Sequence, residues 1–497
     1  MPSVQERDDA AMDIADTIVP NKFSGRYTVY ASTYAKLDSD VINGGGTDDT
    51  EVIQAILDKA PEWGGLHLIM DGAALVRGLE IYSNTTIECK TKDCGFFLAS
   101  GSNRSIIQNV HLDFKTRHDK NITLLGGTYN QNCNGQEHHI MLDSDSKGVF
   151  GAEKWVIGME FYGVEHLTMR DVTIRNQRTF AMLVANWYRV TMENITIELP
   201  DNMFGQNQDG IHFWGPGQFL NMRNIMGCSG DDFIALAPDE NDNVSNITDV
   251  VIDGVFLNDA DQGIRLLSRA EGRLDRVIIR NVTGTFKSFG FYINPWFPGS
   301  GGNFGNITFE NIDLRQTKHK YDYATPFLFR IGGNIETLTL KGIHHNSPAN
   351  PLRLIDLGIP FYTPNDEHTA DYSHIHTLIL DDLQIFDKSD SDIGTSYIKV
   401  LCPVDSIVVR NSHVKVSEVS QNARLIETSE HANIGCIHIS GLTVDGMNTL
   451  IDHPAGKIET VCLNDVLCIN TSGPLIAGEG EIGVVQSNAV FGAHLKR

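Results

Sequence analysis

The chain has 497 residues, a formal charge of −24 and hydrophobic residues at 41% of its positions. An acid excess of that size repels phosphate, so nucleic acid and an anionic membrane surface are excluded as partners and a neutral or locally captured ligand is favoured. No apolar stretch reaches the roughly 18 residues of a membrane span, and the opening MPSVQERDDAAMDIADTIVPNK has neither a basic start nor an apolar signal core. A cytoplasmic home is therefore expected, or a secreted one if a signal was removed. Eight cysteines without a CxxC pair point to reduced thiols rather than a disulfide framework or a zinc site.

Residues 1–45 read as an N-terminal extension. The next segment, GGGTDDTEVIQAILDKA, predicts a helix that starts near Asp48 or Asp49 with Val52, Ile53, Ile56 and Leu57 on one side. A repetitive fold needs such a cap, because its end coil would otherwise leave apolar core and strand edges open. From residue 167 a short pattern recurs: LTMRDVTI, VTMENITI at 190, LNMRNIMG at 220, VVIDGVFL at 250, VIIRNVTG at 277 and ITFENIDL at 307. It continues as LTLKGIHH at 338, LILDDLQI at 378, IVVRNSHV at 407, IHISGLTV at 437 and VCLNDVLC at 461. Apolar and polar residues alternate with a strand period, and the fifth position is always Asn, Asp or Gly, which suits a bend. Most steps between those positions fall between 23 and 31 residues, the length of one coil of a parallel β-helix. The fold expected is all-β, a right-handed single-stranded parallel β-helix with an N-terminal capping helix, because parallel crossovers in one sheet are right-handed in nearly all cases. It is expected to occupy residues 46–472 as the catalytic domain, followed by a C-terminal tail at 473–497. The stretch GIPFYTPNDEHTADYSHIH reads as a long loop on the binding face.

A second register runs through the same coils: DGIHFW at 209, DFIALA at 232, QGIRLL at 262, FGFYIN at 289 and PFLFRI at 326. In the first four, Ile211 and Phe213, Ile234 and Leu236, Ile264 and Leu266, and Phe291 and Ile293 are expected in the core. The residues between them, His212, Ala235, Arg265 and Tyr292, then form an outward column with one strand spacing of about 4.8 Å per step. Asp209, Asp232 and Gln262 share the first position of this register, and Asp231 stands one residue before it, at a bend that Gly230 is expected to permit. A lone aspartate there would be a turn former. Three in one patch resist joint ionisation, which supplies one protonated carboxyl beside ionised ones, as glycoside hydrolysis needs.

The pair NQDG at 207 and SGDDFIAL at 229 resembles the polygalacturonases of glycoside hydrolase family 28, whose signature is Asn-x-Asp followed by Gly-Asp-Asp at similar separation. The resemblance spans roughly residues 160–316, and DDTEVIQAI is similar to the capping segment of the wider pectin-lyase-like superfamily. It implies Asp231 as general acid, Asp209 and Asp232 as the pair that activates water, inversion at the anomeric carbon, and no metal or cofactor. Asn207 joins as the first residue of the motif.

Two departures bear on the substrate. Gln262 stands where the family has the histidine of Gly-His-Gly, and Tyr292 and Asn294 replace the two cations of Arg-Ile-Lys. Arg265 is then the candidate for holding a substrate carboxylate, since a guanidinium grips one with two parallel bonds. Arg269, Arg273, Arg276 and Arg280 are expected to neutralise nearby acids. Trp214 and Trp296 are candidates for stacking on sugar rings, and His212 for a sugar hydroxyl. The partner expected is a polysaccharide or oligosaccharide, and the sequence leaves room for a homo-oligomer. Two other readings stay open at this point: a polysaccharide lyase on the same coil, and a non-catalytic, tailspike-like carbohydrate-binding β-helix.

Overall fold

The structure, a computed structural model, describes residues 21–23, 26–136, 156–200, 207–295, 301–317, 326–347, 353–358, 373–387, 396–416 and 423–492. The chain divides into two compact units, Met1–Ala235 and Leu236–Arg497. Trp296 and most of the expected binding-face loop, residues 359–372, lie outside the described residues. Among the described residues no helix is long and apolar enough to cross a membrane.

In the first unit, each coil presents edge N–H and C=O groups that the next coil satisfies. Strand Arg26–Tyr30 pairs in parallel with Leu66–Met70, which pairs with Thr85–Cys89, and that with Asp119–Leu125. Met159–Arg170, Met182–Glu198 and Ile211–Gly227 carry the same ladder onward. A second ladder runs through Ala73–Val76, Gly95–Leu98, Thr128–Asn130 and Thr173–Arg175. A third joins Leu79–Ile81, Ile107–Asn109 and the start of Met159–Arg170. The sequence pattern sets the two faces: Val190, Met192, Ile195 and Ile197 are buried while Thr191 is exposed, and burying each such side chain stabilises the coil by about 1.5–3 kcal/mol.

The capping helix spans Thr50–Leu57 and buries Ile53, Ala55, Ile56 and Leu57, with Val52 half-buried. Its N-cap is Asp49. That carboxylate accepts from the backbone N–H groups of Lys36 and Leu37 at 2.9 Å each, so it ties the segment ahead of the helix to the cap rather than closing the helix itself.

The second unit is built the same way. Ile247–Ser268, Arg273–Pro295, Asn303–Gln316, Asn334–Ser347, His374–Asp387, Val404–Val416, Asn433–Asp445, Lys457–Ile469 and Glu481–Phe491 form one parallel ladder. The end of Arg273–Pro295 starts another, through Phe327–Ile331, Arg353–Leu357, Ser396–Val400, Arg424–Thr428 and Thr449–Asp452. Phe291 stacks on Phe329 with ring centroids 4.7 Å apart at 14°, and Phe309 meets Phe291 edge-on at 4.7 Å. Strands thus occur on both sides of the expected coil region, at Arg26–Tyr30 and at Glu481–Phe491.

The bends fall where the repeat placed them. Asp171, Asn194, Asn224, Gly254, Asn281, Asn311, Gly342, Asp382, Asn411, Gly441 and Asp465 all have left-handed backbone, with φ between 51° and 80°. Only Gly, Asn and Asp adopt that conformation at little cost. The side chains also link coil to coil: Asn194 donates to Asp171 at 2.7 Å, Asn224 to Asn194 at 3.1 Å and, in the second unit, Asn311 to Asn281 at 2.7 Å.

Candidate functional site

The acidic cluster belongs to the first unit. The Gly210 N–H donates to the Asp232 carbonyl at 2.8 Å and the Gly230 N–H to the Gln208 carbonyl at 2.9 Å, so the motifs around Asp209 and Asp231 lie on adjoining coils. One coil further back, Ala181 N–H donates to the Asp209 carbonyl at 3.0 Å. Asp209 is 3% exposed and Asp232 7%, whereas Asp231 is half-buried. The Asn207 N–H, at a left-handed residue with φ 58°, donates to Asp231 Oδ2 at 2.8 Å. Gly230 lies at the bend before Asp231 without left-handed backbone; the glycine that requires it is Gly227, φ 138°, where a Cβ would strike the Ile197 carbonyl.

His212 lies against Asp209, with Nδ1 2.9 Å from Oδ2. Its ring stacks on Phe180 at 4.6 Å and 18°, and the imidazole is 5% exposed. The fold explains the contact: Asp209 enters the strand and His212 is the first outward residue after Ile211, three positions later. Trp214 is 7% exposed, with its ring 6.2 Å from His212 and 6.0 Å from Phe114.

Sequence reasoning missed what holds this entry turn. Asn-Gln pairs recur at 130, 176 and 207, one for each stacked bend. Gln208 Nε2 donates to the Gln177 carbonyl at 2.9 Å, Gln177 Nε2 to the Asp209 carbonyl at 3.1 Å, and the Arg178 N–H to Gln131 Oε1 at 2.7 Å. Gln131, Gln177 and Gln208 have no exposed surface. These amides fix the backbone under Asp209, and the repeated dipeptide was the signal for them.

The second unit holds a cationic cluster. Arg265, Tyr292 and Arg330 are consecutive rungs of one outward column, in register Arg265 to Tyr292 and Tyr292 to Arg330. Arg265 lies over the Tyr292 ring at 4.2 Å and Arg330 over it at 5.0 Å, so the ring sits between two guanidinium groups. Arg265 Nε donates to Asn294 Oδ1 at 2.9 Å. Tyr292, Asn294, Arg265 and Arg330 are each 5–7% exposed, and Gln262 pairs in register with Phe289. Arg330 is the residue not foreseen: counted from Pro326 it is the fifth residue of PFLFRI, a core position in that register, and only the strand pairing sets it opposite Tyr292. Arg269 pairs with Glu240, Arg273 with Glu336 and Asp275, Arg276 with Asp249, and Arg280 with Asp253.

Coils of parallel strands with left-handed corners define each unit as a parallel β-helix. Residues 106–322 match the model of glycosyl hydrolases family 28, so the likeness carried by NQDG and SGDDFIAL is shown over that stretch. No curated protein matches the sequence. Among solved structures, the N-terminal fragment of bacteriophage Phi29 gene product 12 is 14% identical with a TM-score of 0.51, over 94% of this chain and 71% of that one, a likeness of fold. The hyperthermoactive exopolygalacturonase from Thermotoga maritima is 13% identical with a TM-score of 0.42, over 94% and 96% of the two chains. The family 28 exopolygalacturonase of Yersinia enterocolitica is 14% identical with a TM-score of 0.43, over 92% and 78%.

Proposed function

We propose that the chain is an inverting glycoside hydrolase that cleaves α-glycosidic bonds in a pectin-like polysaccharide or oligosaccharide. The observation that carries this reading is the stacking of Asp209 beside Asp231 and Asp232 on adjoining coils, within residues that match family 28. Asp231, the least buried of the three, gives its proton to the leaving glycosidic oxygen as the bond to the anomeric carbon breaks. Asp209 and Asp232 take a proton from the water that attacks the opposite face, and solvent returns the proton to Asp231. His212 is a positioning residue that orients Asp209. Arg265, with Asn294 orienting its guanidinium, is the group offered to a substrate carboxylate, and Trp214 flanks the acid cluster.

Turnover of pectin-derived oligosaccharides followed by NMR tests the reading. The first product should carry the inverted anomer, and Asp231→Asn should lower kcat by at least ~10² without loss of fold, the usual worth of a general acid. A retained anomer would overturn inversion, and near-parental kcat in the variant would remove Asp231 from the acid role. A product with ultraviolet absorbance from a new double bond would make the chain a lyase; tight binding without turnover would make it a carbohydrate-binding β-helix.

A further inference from the structure

The segment HIHT at 374–377 opens a strand of the second unit and places two imidazoles two residues apart, so both leave the same face. The next coil pairs in register Ile375 to Val404 and Thr377 to Ser406, which sets Asp405 opposite His376. His374 Nε2 lies 2.7 Å from Asp405 Oδ1, and His376 Nδ1 lies 2.7 Å from Oδ2. The two rings are 4.5 Å apart at centroid. One carboxylate is thus addressed at both oxygens by two imidazoles, and the ligand atoms of all three residues lie within 4.8 Å of one another. Among the described residues this is the one group of histidine, cysteine or carboxylate side chains so arranged.

Two protonated imidazoles this close repel each other, whereas one dication between the three groups satisfies them together. Bonds of about 2.0–2.2 Å from two nitrogens and a carboxylate oxygen are the zinc pattern, and small inward movements of exposed side chains reach it. The side chains are 40%, 53% and 57% exposed, so an ion can enter and water can fill its remaining positions. On the flanking strand the register Ile335 to Ile375 and Thr337 to Thr377 sets Glu336 beside His376, with its carboxylate accepting from Arg273 at 2.8 Å. The formal charge of −24 draws cations to the surface. Imidazole donors select a transition ion over calcium or magnesium, which take oxygen.

We propose that His374, His376 and Asp405 form a binding site for one divalent transition ion of the zinc type, which joins strands His374–Asp387 and Val404–Val416 on successive coils. The site shares no residue with the acidic cluster, and its test needs no turnover. The full chain, stripped with a chelator, is titrated with zinc by calorimetry and with cobalt by visible absorption, and its melting is followed with zinc and with magnesium. One equivalent of zinc should bind, cobalt should give the absorption of a nitrogen and oxygen site, and Tm should rise with zinc but not with magnesium. His376→Gln and Asp405→Asn, both at exposed positions, should each weaken zinc by at least tenfold, since even an outer-sphere partner is worth roughly 10–100-fold. Failure of the stripped protein to bind zinc overturns the proposal. So does unchanged binding in the triple variant His374→Gln, His376→Gln, Asp405→Asn, with circular dichroism confirming that the variant is folded.

Discussion

Replacing His212 by Phe removes its hydrogen bond to Asp209 and keeps an aromatic ring at the position. The new ring occupies the same space against Phe180, whose stack at 4.6 Å and 18° asks only for an aromatic face. What disappears is the contact between Nδ1 and Asp209 Oδ2 at 2.9 Å, made where Asp209 is 3% exposed and water cannot readily take the imidazole's place. A hydrogen bond to a charged group is worth about 1.5–3 kcal/mol. If that bond holds Asp209 where it must face the attacking water, the loss falls on the transition state and kcat drops roughly 10- to 150-fold, at 1.36 kcal/mol per decade. KM should move little, because the bond is as strong before substrate binds as after. His212→Asn keeps a side-chain N–H near the position of Nδ1 and should recover part of the loss, which a purely packing role does not predict. Initial rates on a pectin-derived oligosaccharide, with thermal melts of all three proteins, decide the matter. Parental kcat in His212→Phe refutes the positioning argument, and an equal loss in Phe and Asn variants shows that the imidazole acts in some other way.

Other substitutions probe the fold and the substrate. Asn311→Ala removes the amide that lets this residue tolerate left-handed backbone, φ 56°, and deletes the bond to Asn281, so urea melts should show a loss of about 1–2 kcal/mol, with Asn311→Gly losing less; equal losses would contradict the strain argument. Burial holds the Glu160 carboxyl above the ordinary glutamate range despite hydrogen bonds from Ser105 and Tyr162. Its folded pKa is raised, so its stabilising contribution is full below the ordinary value of about 4.3 and is lost as pH rises through the raised value. Glu160→Gln should therefore flatten the decline of Tm above that range, and an unaltered Tm profile would show that the carboxyl does not drive it. Arg265→Lys should weaken use of a uronate chain and Arg265→Ala weaken it further, while a neutral analogue is little affected; parental ratios in both would assign that subsite a neutral sugar.

One corner of the coil was legible and the other was not, for a physical reason. At the first, nothing but left-handed tolerance selects the residue, so Asn, Asp and Gly recur and the repeat shows itself. The second corner of the first unit stacks Asn84, Asn121, His166, Arg189 and Phe219, with φ from 56° to 64°. Bulky residues pay roughly 1–2 kcal/mol for such backbone. Here contacts along the column offset it: His166 Nδ1 lies 3.0 Å from Asn121 Oδ1, and Arg189 lies 5.4 Å from the Phe219 ring. In the second unit Asp249 and Arg276, φ 62° and 53°, bind each other through two hydrogen bonds at 2.6 and 2.8 Å. Because coils stack in register, each corner residue has a neighbour one coil away, and a favourable pair replaces intrinsic preference. A reading confined to one coil cannot detect that.

The same limit governed the site. Asp209, Asp231 and Asp232 were visible because their neighbours in sequence form a motif, whereas Arg330 belongs to the cationic column only through register with Tyr292. Beyond it the column continues as Asp356, Lys399 and Glu427, with opposite charges on successive rungs from Arg330 onward. Lys399 lies 3.6 Å from Glu427, so those two rungs already answer each other. Charge on this face therefore has to be judged per rung. Arg265 has the neutral side chains of Tyr292 and Asn294 among its neighbours on this face.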